Sequence, residues 1–489
     1  MVQGRHRRTP LQLGGRIGVG RLRSPEEAGR PKPQDNLQMY KRVYIETYGC
    51  QMNEHDSERI LQLLEGSSYG ETKEPKEADL ILINTCSVRE KPEHKVYSAL
   101  GRFKKLKEEK GTLIAVAGCV AQQEGNRLLE RIPYLDLVLG THAIPLLPRL
   151  LQKVEVLGER VCETNFDAAG AYLKAFLAQQ RTVRARVKSY VTIMQGCDRF
   201  CSFCIVPYVR GRERSRPRQE IIEEVRRLGE TGIKEICLLG QNVNAYGKGL
   251  TGELGFPELL HRLNEIEGIE RIRFTTSHAA DLSEELLHAF SKLGKLCEHF
   301  HLPFQSGSDR ILRAMHRGYT RESYLEKIER LRRSCPSIAL TADVIVGFPG
   351  EEEKDFEETL DLMQRVRFDD LFSFKYSPRK GTRAAQFQDQ VEEKVKQDRL
   401  SVLQNMQREF TLQKNQALEG HREEVLVEGR SKQSDRDVTG RTRSNKIVNF
   451  KGELGLVGKL IPVQITKAYP HSLRGELISD FTSPLSPPW

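Results

Sequence analysis

Residues 194–216 read MQGCDRFCSFCIVPYVRGRERSR, and this stretch decides how the central part of the chain folds. Its three cysteines, Cys197, Cys201 and Cys204, come directly after the predicted strand VKSYVTI (187–193). In β/α folds, functional groups gather in the loops at the carboxyl ends of the strands. The stretch therefore predicts that a β/α domain begins here and carries a site made of thiols.

The segments that follow repeat the alternation of strand and helix. Helical stretches such as RQEIIEEVRRLGE (218–230) and RESYLEKIERLRR (321–333) separate apolar runs, which predict strands at EICLLG (235–240), RIRFTT (271–276), EHFHLP (298–303), TADVIVG (341–347) and LFSFKY (371–376). Such a series predicts a barrel or an open partial barrel. We expect a partial (β/α)6 barrel over residues 183–414, which ends in a long charged helix (391–416).

Two further folded regions flank this barrel, so the fold class is α/β with three parts. Residues 39–158 predict a parallel sheet covered by helices, with strands at VYIET (43–47), ADLILIN (78–84), TLIAVAG (112–118) and LDLVLG (135–140). Residues 415–479 change to short alternating strands with many turn residues, which is typical of a small β-barrel. Residues 160–182 form a less patterned connector, and residues 1–38, rich in Gly, Arg and Pro, predict a disordered basic tail.

Composition bounds the class of protein. A length of 489 residues suggests about three domains, and no apolar run approaches the roughly 20 residues that cross a bilayer. The net charge of +10 permits an acidic partner such as nucleic acid. Ten unevenly spaced cysteines do not resemble a secreted disulfide scaffold, and the N-terminus lacks the apolar segment of a signal peptide. We therefore expect a cytoplasmic protein with reduced or metal-bound thiols; an Arg-rich mitochondrial transit peptide is the less favoured alternative.

The CxxxCxxC spacing of Cys197, Cys201 and Cys204 indicates a metal centre. A zinc site is one alternative, but structural zinc sites pair CxxC units with a fourth ligand, and the chain has no second pair. Three close thiolates instead suit a [4Fe–4S] cluster with one open iron. S-adenosylmethionine (SAM) is the small molecule that this spacing suggests for the open iron, and the cluster would supply the electron that breaks a C–S bond of SAM.

Cys50, Cys86 and Cys119 predict a second centre. Each follows a predicted strand of the first domain, in YIETYGC, LILINTC and IAVAGC. Because parallel strands end at one edge of their sheet, the three thiols can converge there. Singly, each is as well explained as a buried core cysteine, but three equivalent placements favour a second cluster. The remaining cysteines are assigned to structure or surface: Cys162, Cys237, Cys297 and Cys335.

Motifs in every domain resemble the MiaB-type tRNA methylthiotransferases of the radical-SAM superfamily. They are YIETYGCQMNEHDSE, NTCSVRE, AGCVAQQ, TIMQGCDRFCSFCIVPYVRGRERSR, LLGQNVNAYG, LPFQSGSDRIL, DVIVGFPGE, FKYSPRKGT and GRTRSNKIVNF. The resemblance implies a methylthiotransferase N-terminal domain, a radical-SAM partial barrel and a C-terminal TRAM domain. Two departures touch no cluster ligand: DVIVGFPGE continues with Glu352 and Glu353 where Thr is expected, and Ala279 replaces a Pro.

The resemblance also implies the chemistry. The cysteine ligands of two [4Fe–4S] clusters fall on the six cysteines of the two triads. The substrate is an isopentenylated adenosine next to the anticodon of tRNA. One SAM methylates sulfur held at the N-terminal cluster, and a second SAM yields a 5′-deoxyadenosyl radical that takes hydrogen from adenine C2, where the methylthio group then joins.

Other substrates and functions remain open at this point. Relatives of the same architecture modify a threonylcarbamoyl-adenosine in tRNA or an aspartate of a ribosomal protein. The stretch YGCQMNEHDSE favours the isopentenylated adenosine, because protein-modifying relatives tend to continue differently after the first cysteine. A non-catalytic RNA-binding iron–sulfur protein is disfavoured by the complete CxxxCxxC spacing. The sulfur donor and the electron donor stay unidentified.

Two basic regions predict RNA contacts. Arg210, Arg212, Arg214 and Arg216 alternate with other residues, so an extended backbone would place them on one side, although a solvated charged loop is the simpler alternative. Residues 421–479 hold eleven Lys/Arg against seven Asp/Glu. Within them, the positive and aromatic side chains on predicted strands suit RNA backbone binding and base stacking, or else a solubilising surface: Arg441, Arg443, Asn445, Lys446 and Phe450.

Overall fold

The computed structural model describes residues 40–87, 90–166, 187–250, 252 and 255–478. The predicted tail (1–38) and most of the predicted connector (160–182) lie outside the described residues. The described chain from Lys41 onward belongs to one compact unit, so contacts between its three parts can be read directly. No helix of the described chain combines the length and apolarity needed to span a membrane.

The first part is a six-stranded parallel sheet with helices on both faces. Its strands are β1 (Lys41–Thr47), β2 (Tyr69–Glu71), β3 (Leu80–Thr85), β4 (Leu113–Gly118), β5 (Leu137–Leu139) and β6 (Val161–Glu163), in the order β2-β1-β3-β4-β5-β6. The helices are α1 (Gln51–Glu65), α2 (Glu90–Lys110), α3 (Cys119–Glu124), α4 (Asn126–Arg131) and α5 (Leu147–Leu157). Successive residues of β3 point into opposite cores, Leu80 and Leu82 to one and Ile81 and Ile83 to the other. This is why the central strand is apolar without interruption.

Four strands of this sheet match the predicted ones, and two were missed. The missed strands, β2 and β6, are the three-residue edges of the sheet. Strands this short have too few residues to show a period of two. Because β6 pairs with β5, the sheet extends past the predicted domain boundary at residue 158.

The second part is an open partial barrel, as predicted. Two parallel sheets, β7-β10-β11 and β12-β13-β14, are joined by a bridge between Ile272 and Leu296. The strands are β7 (Lys188–Thr192), β10 (Glu235–Leu239), β11 (Arg271–Phe274), β12 (His299–His301), β13 (Ala339–Val346) and β14 (Asp370–Lys375), with the short pair β8 (Met194–Gln195) and β9 (Arg214–Ser215). The helices are α6 (Val206–Arg210), α7 (Arg218–Glu230), α8 (Phe256–Asn264), α9 (Glu284–Lys292), α10 (Asp309–Ala314), α11 (Arg321–Ser334), α12 (Glu353–Val366) and α13 (Glu393–Gln416).

The third part is a closed five-stranded barrel. It consists of β15 (Arg422–Arg430), β16 (Asp437–Arg441), β17 (Ile447–Lys451), β18 (Leu460–Ala468) and β19 (Leu473–Leu477) in the order β15-β16-β17-β19-β18. Its interior is filled by residues that include Val425, Val463 and Phe450. Phe450 is fully buried, so the prediction that it stacks on RNA bases is wrong: its ring is needed to fill the barrel.

The closed barrel docks against the amino-terminal ends of the partial-barrel strands. Arg271, the first residue of β11, is fully buried and donates hydrogen bonds to the backbone oxygens of Arg441 (2.7 Å) and Glu424 (2.8 Å). Arg273 donates to the backbone oxygens of Thr442 and Arg443, both at 2.7 Å. These four hydrogen bonds connect the partial barrel to the backbone of the closed barrel.

Candidate functional site

The first triad lies where the central strands of the sheet end. Cys50 caps α1, Cys86 follows β3, and Cys119 opens α3 directly after β4. Cys86 and Cys119 are buried, whereas Cys50 is exposed. A hydrogen bond from Cys86 lowers the pKa of the Cys50 thiol to about 6, and the positive charge of Arg210 acts in the same direction. Burial raises the pKa of the Cys119 thiol, and Arg210 opposes that rise. One guanidinium therefore acts on two thiols of the triad.

Two glycines allow the chain segments that carry the first triad to approach each other closely. Gly49 has a φ of 127°, and a Cβ atom there would lie 2.4 Å from the Cβ of Cys86. Gly118 has a φ of 90°, and its Cβ would lie 2.4 Å from the backbone oxygen of Thr85. Neither the dihedral angle nor the space admits a side chain. Sequence reasoning missed both residues, although the repeated Gly-Cys pairs were a usable signal.

The second triad sits in the loop after the first barrel strand, as the spacing predicts. Cys201 is buried, and Cys197 and Cys204 are partly buried. Burial raises the pKa of Cys197 to about 11 and that of Cys204 to about 12. The buried Arg317 places its Nη1 atom 3.2 Å from the Sγ atom of Cys201. A fixed positive charge therefore stands beside this triad too, and nothing in the sequence singled out Arg317.

An ionic network anchors the loop of the second triad. Arg199, between the first two cysteines of that triad, binds the side chain of Asp281 with two nitrogens. Asp281 also accepts hydrogen bonds from Asn242 (2.8 Å) and Lys248. Burial alone would raise the pKa of Asp281, but these hydrogen bonds outweigh burial and lower it to about 2. A permanently charged carboxylate thus ties the loop to the carboxyl ends of β10 and β11.

The helix α6 joins the two triads. It begins two residues after Cys204. Val209 within the helix and Ile205 just before it pack against Cys119 of the first triad. Its last residue, Arg210, enters the first domain, where its Nη2 atom lies 2.8 Å from the Oδ2 atom of Asp56 and 3.2 Å from the Oδ1 atom of Asn53. The two triads are therefore parts of one continuous site.

Residues after β5 hold the backbone of α6 in place. The Thr141 hydroxyl donates to the backbone oxygen of Val209 at 2.7 Å. The Nε2 atom of His142 lies 2.9 Å from the backbone oxygen of Arg210. Burial lowers the pKa of His142 to about 4, so at neutral pH the ring is uncharged and Nε2 donates to that carbonyl.

The predicted row of four arginines does not exist. Residues up to Arg210 are helical, and only Arg214 and Ser215 form a strand, so the assumption of extended backbone is wrong. Arg210 is buried against Asp56, and Arg216 is fully buried and paired with Glu224 at 2.7 Å. Neither presents its guanidinium to a ligand at the surface. Arg212 and Arg214 are exposed, and RNA contact by these two stays a prediction.

The three basic residues predicted on the closed barrel also have protein partners. The guanidinium of Arg443 binds both carboxylate oxygens of Glu298, at 2.7 and 2.8 Å. Lys446 lies 3.3 Å from Asp369, and the Nε atom of Arg441 lies 3.2 Å from Glu428. The first two pairs cross the interface between the closed barrel and the partial barrel. Arg443 and Lys446 therefore take part in domain docking, and Arg441 pairs within the closed barrel; RNA contact by the three residues stays a prediction.

A cavity of about 460 Å³ is lined by residues from all three parts of the chain. Its lining includes Gln51, which follows Cys50, and Lys446 of the closed barrel. Cys237 faces this cavity, in keeping with its predicted exclusion from the two triads. All ten cysteines are free.

The donor set fits clusters better than single ions. Within the described residues, no group of three His, Cys, Asp or Glu side chains converges on a point that would hold one metal ion. A structural zinc ion needs four ligands around a single centre, whereas each triad supplies three thiols. In an iron–sulfur cluster, each thiolate binds a different iron, and the ligands surround a volume. Two triads of free thiols, each beside a buried arginine, fit that requirement.

Comparisons with protein families cover all three parts of the chain. Residues 42–140 match the uncharacterized protein family UPF0004, residues 191–363 match the radical SAM superfamily, and residues 416–478 match the TRAM domain. Among solved structures, the radical S-adenosylmethionine methyltransferase TsrM from Kitasatospora setae superposes with a TM-score of 0.55 at 13% identity, over 71% of this chain and 77% of that one. This likeness shows a shared fold.

Two relatives align along nearly their whole length. A tRNA-2-methylthio-N(6)-dimethylallyladenosine synthase from Syntrophus aciditrophicus is 54% identical over 90% of this chain and 95% of its own. A synthase of the same name from Geobacter metallireducens is 54% identical over 89% of this chain and 98% of its own. The chain belongs to the family of tRNA-2-methylthio-N(6)-dimethylallyladenosine synthases, which are radical-SAM methylthiotransferases.

Proposed function

We propose that this protein is the enzyme that adds a methylthio group at C2 of N6-isopentenyladenosine next to the anticodon of tRNA. The isopentenyl group is the dimethylallyl group in the names of the relatives. The enzyme is a radical-SAM methylthiotransferase whose cofactors are SAM and two [4Fe–4S] clusters, and its nucleic-acid partner is tRNA. These statements follow from the family and from the match to the TRAM domain.

The cluster ligands are assigned residue by residue as part of this proposal. Cys197, Cys201 and Cys204 hold the cluster that binds SAM, and the first triad holds the cluster that carries sulfur: Cys50, Cys86 and Cys119. When bound, such a cluster with SAM supplies a carbon radical that no side chain can form. Within the chain itself, Arg199 and Asp281 fix the loop of the second triad. Arg317 keeps a positive charge beside the Sγ atom of Cys201.

The observation that carries the proposal is the contact of α6 with both triads. A methylthiotransferase must bring a sulfur source and a radical source to one carbon atom, and effective reaction requires reacting groups held at close range. Helix α6 follows Cys204 directly and packs on Cys119, so the two sites share one rigid element.

Modification of threonylcarbamoyl-adenosine or of a ribosomal-protein aspartate is not favoured. The names of the relatives specify the dimethylallyl substrate, and no feature of the described site supports either alternative. A cytoplasmic location belongs to the proposal, because the substrate is tRNA and all ten cysteines are free. The proteins that supply sulfur and electrons are left unassigned.

Mass spectrometry of tRNA nucleosides from cells with and without the protein tests the reaction. The 2-methylthio form of isopentenyladenosine should vanish without the protein, and isopentenyladenosine should accumulate. Persistence of the methylthio form would contradict the proposal. An unchanged level together with loss of a methylthiolated threonylcarbamoyl-adenosine would support the alternative substrate.

Iron content tests the ligand assignment. Anaerobically reconstituted protein should hold about eight irons, and changing Cys197, Cys201 and Cys204 to Ala should remove about half and abolish SAM cleavage. Cys162→Ser is the matched control, because this free and partly buried cysteine belongs to neither triad. Full iron content in the triple variant would refute the assignment.

A further inference from the structure

An exposed aromatic residue stands beside the second triad. Tyr208, on α6, is 45% exposed, which sets it apart from the buried aromatic residues of the partial-barrel core. Its ring meets the ring of Phe200 edge to face, with centroids 6.2 Å apart and an angle of 87°. Edge-to-face contact is a favoured arrangement of two aromatic rings. The ring of Tyr208 therefore packs against Phe200 while part of its surface stays open to solvent.

The backbone of Phe200 is strained. Its φ is 45°, in the left-handed region that a bulky residue rarely adopts. Such strain costs about 1–3 kcal/mol and persists only where the surroundings impose it. Here the preceding residue, Arg199, is bound to the buried Asp281. The strained residue lies in the loop that carries Cys197 and Cys201, and its ring contacts Tyr208.

A planar cation completes the group. The guanidinium of Arg212 lies 5.0 Å from the centroid of the Phe200 ring, and its Nε atom lies 3.1 Å from Asp198. The Arg212 side chain is 69% exposed, and Arg214 is exposed next to it. Aromatic faces beside exposed arginines match single-stranded RNA, whose bases stack on rings while phosphates pair with the cations.

We propose that Tyr208, supported by Phe200 and Arg212, is a stacking platform for the nucleobase that neighbours the modified adenosine. The proposal rests on the proposed function, since it takes the substrate to be a tRNA anticodon loop. The platform receives a neighbouring base because Tyr208 is exposed on α6, whereas Ile205 and Val209 pack on Cys119 and the reacting base must reach the triads themselves. Stacking there would hold the loop open and deliver the target adenosine to the site.

The test uses the reconstituted protein and an anticodon stem-loop that carries isopentenyladenosine, with 2-aminopurine in place of one neighbouring base. Stacking quenches 2-aminopurine, so binding by the native protein should quench it at one of the two neighbouring positions. Tyr208→Ala should remove this quenching and weaken binding about 5- to 100-fold, the range expected for one stacked base. Tyr208→Phe and Tyr208→Trp should keep both the quenching and the affinity.

Leu157→Ala is the matched control, because Leu157 is a 60% exposed apolar residue at the end of α5. It should bind the stem-loop like the native protein. Unchanged quenching and affinity in Tyr208→Ala would overturn the proposal, as would loss of iron in that variant, which would show a structural role. If the native protein binds and quenches the stem-loop but forms no methylthio product, the proposed function fails while the stacking platform stands.

Discussion

Removal of Arg210 should destabilise the protein more than removal of any surface charge, because Arg210 neutralises a carboxylate that has no access to water. Asp56 is 0% exposed and the Arg210 side chain is 3% exposed, with 2.8 Å between the charged atoms. Breaking such a pair on one side costs about 3–5 kcal/mol, since the remaining charge stays buried after losing this oppositely charged group. We therefore expect Arg210→Met to lower the free energy of unfolding by that amount.

A double-mutant cycle separates the pair from general damage. Asp56→Asn keeps the shape of the side chain and removes its charge, so the double variant with Arg210→Met should recover at least about 2 kcal/mol relative to the sum of the single changes. Urea unfolding of the anaerobically reconstituted protein, followed by circular dichroism, gives each value.

Arg262→Ala provides the comparison. This exposed residue pairs with Glu258 at 3.0 Å within one helix, and its loss should cost less than about 0.5 kcal/mol. A cost below about 1 kcal/mol for Arg210→Met, or a double variant no better than the sum of its parts, would refute the reasoning.

Three further predictions concern acidity, docking and closure of the first triad. Burial lowers the pKa of His142 to about 4, below the ordinary value of about 6.5, so the stability it contributes is present above pH 6.5 and is lost as the pH falls toward 4. In a pH series of unfolding free energies, His142→Gln should remove this loss of stability, which amounts to up to about 3 kcal/mol. An unchanged slope would contradict the assignment. Arg271→Ala should remove the hydrogen bonds to the backbone oxygens of Arg441 and Glu424, weaken docking by about 1–3 kcal/mol and speed hydrogen exchange in residues 422–477. Unchanged exchange would show that docking does not depend on Arg271. Gly118→Ala should push a methyl group onto the backbone of Thr85 and lower the iron content by about half, whereas full iron content would show that the strand end can yield.

The elements that bury apolar faces were predictable, because their patterns are local. The run LILINT is buried on both sides as β3, and its burial also explains why Cys86, directly after it, reaches the common edge of the sheet. The convergence of the first triad follows from this rule of parallel strands. The edge strands β2 and β6 have three residues each, which are too few to show a pattern of burial.

The positions of the arginines were not predictable in the same way. Whether Arg210 binds RNA or Asp56 depends on a partner in another domain, and Arg443 likewise finds Glu298 only after the closed barrel has docked. The sequence shows that a side chain is charged, but it does not show which residue that side chain will contact. The exposed Arg212 and the buried Arg216 look alike in the sequence, yet the turn into β9 and the short strand itself send them to opposite environments.

The closed barrel docks at the amino-terminal ends of the partial-barrel strands, and this docking sets its distance from the two triads. The two triads lie at the carboxyl side of the strands, and the strands of the partial barrel have three to eight residues, or about 10–26 Å at 3.3 Å per residue. A tRNA that contacts both ends must therefore span a distance of that order between its reacting adenosine and its second point of contact. Recognition then depends on the distance between two features of the RNA. A short fragment that carries the correct bases would reach the triads but not the closed barrel.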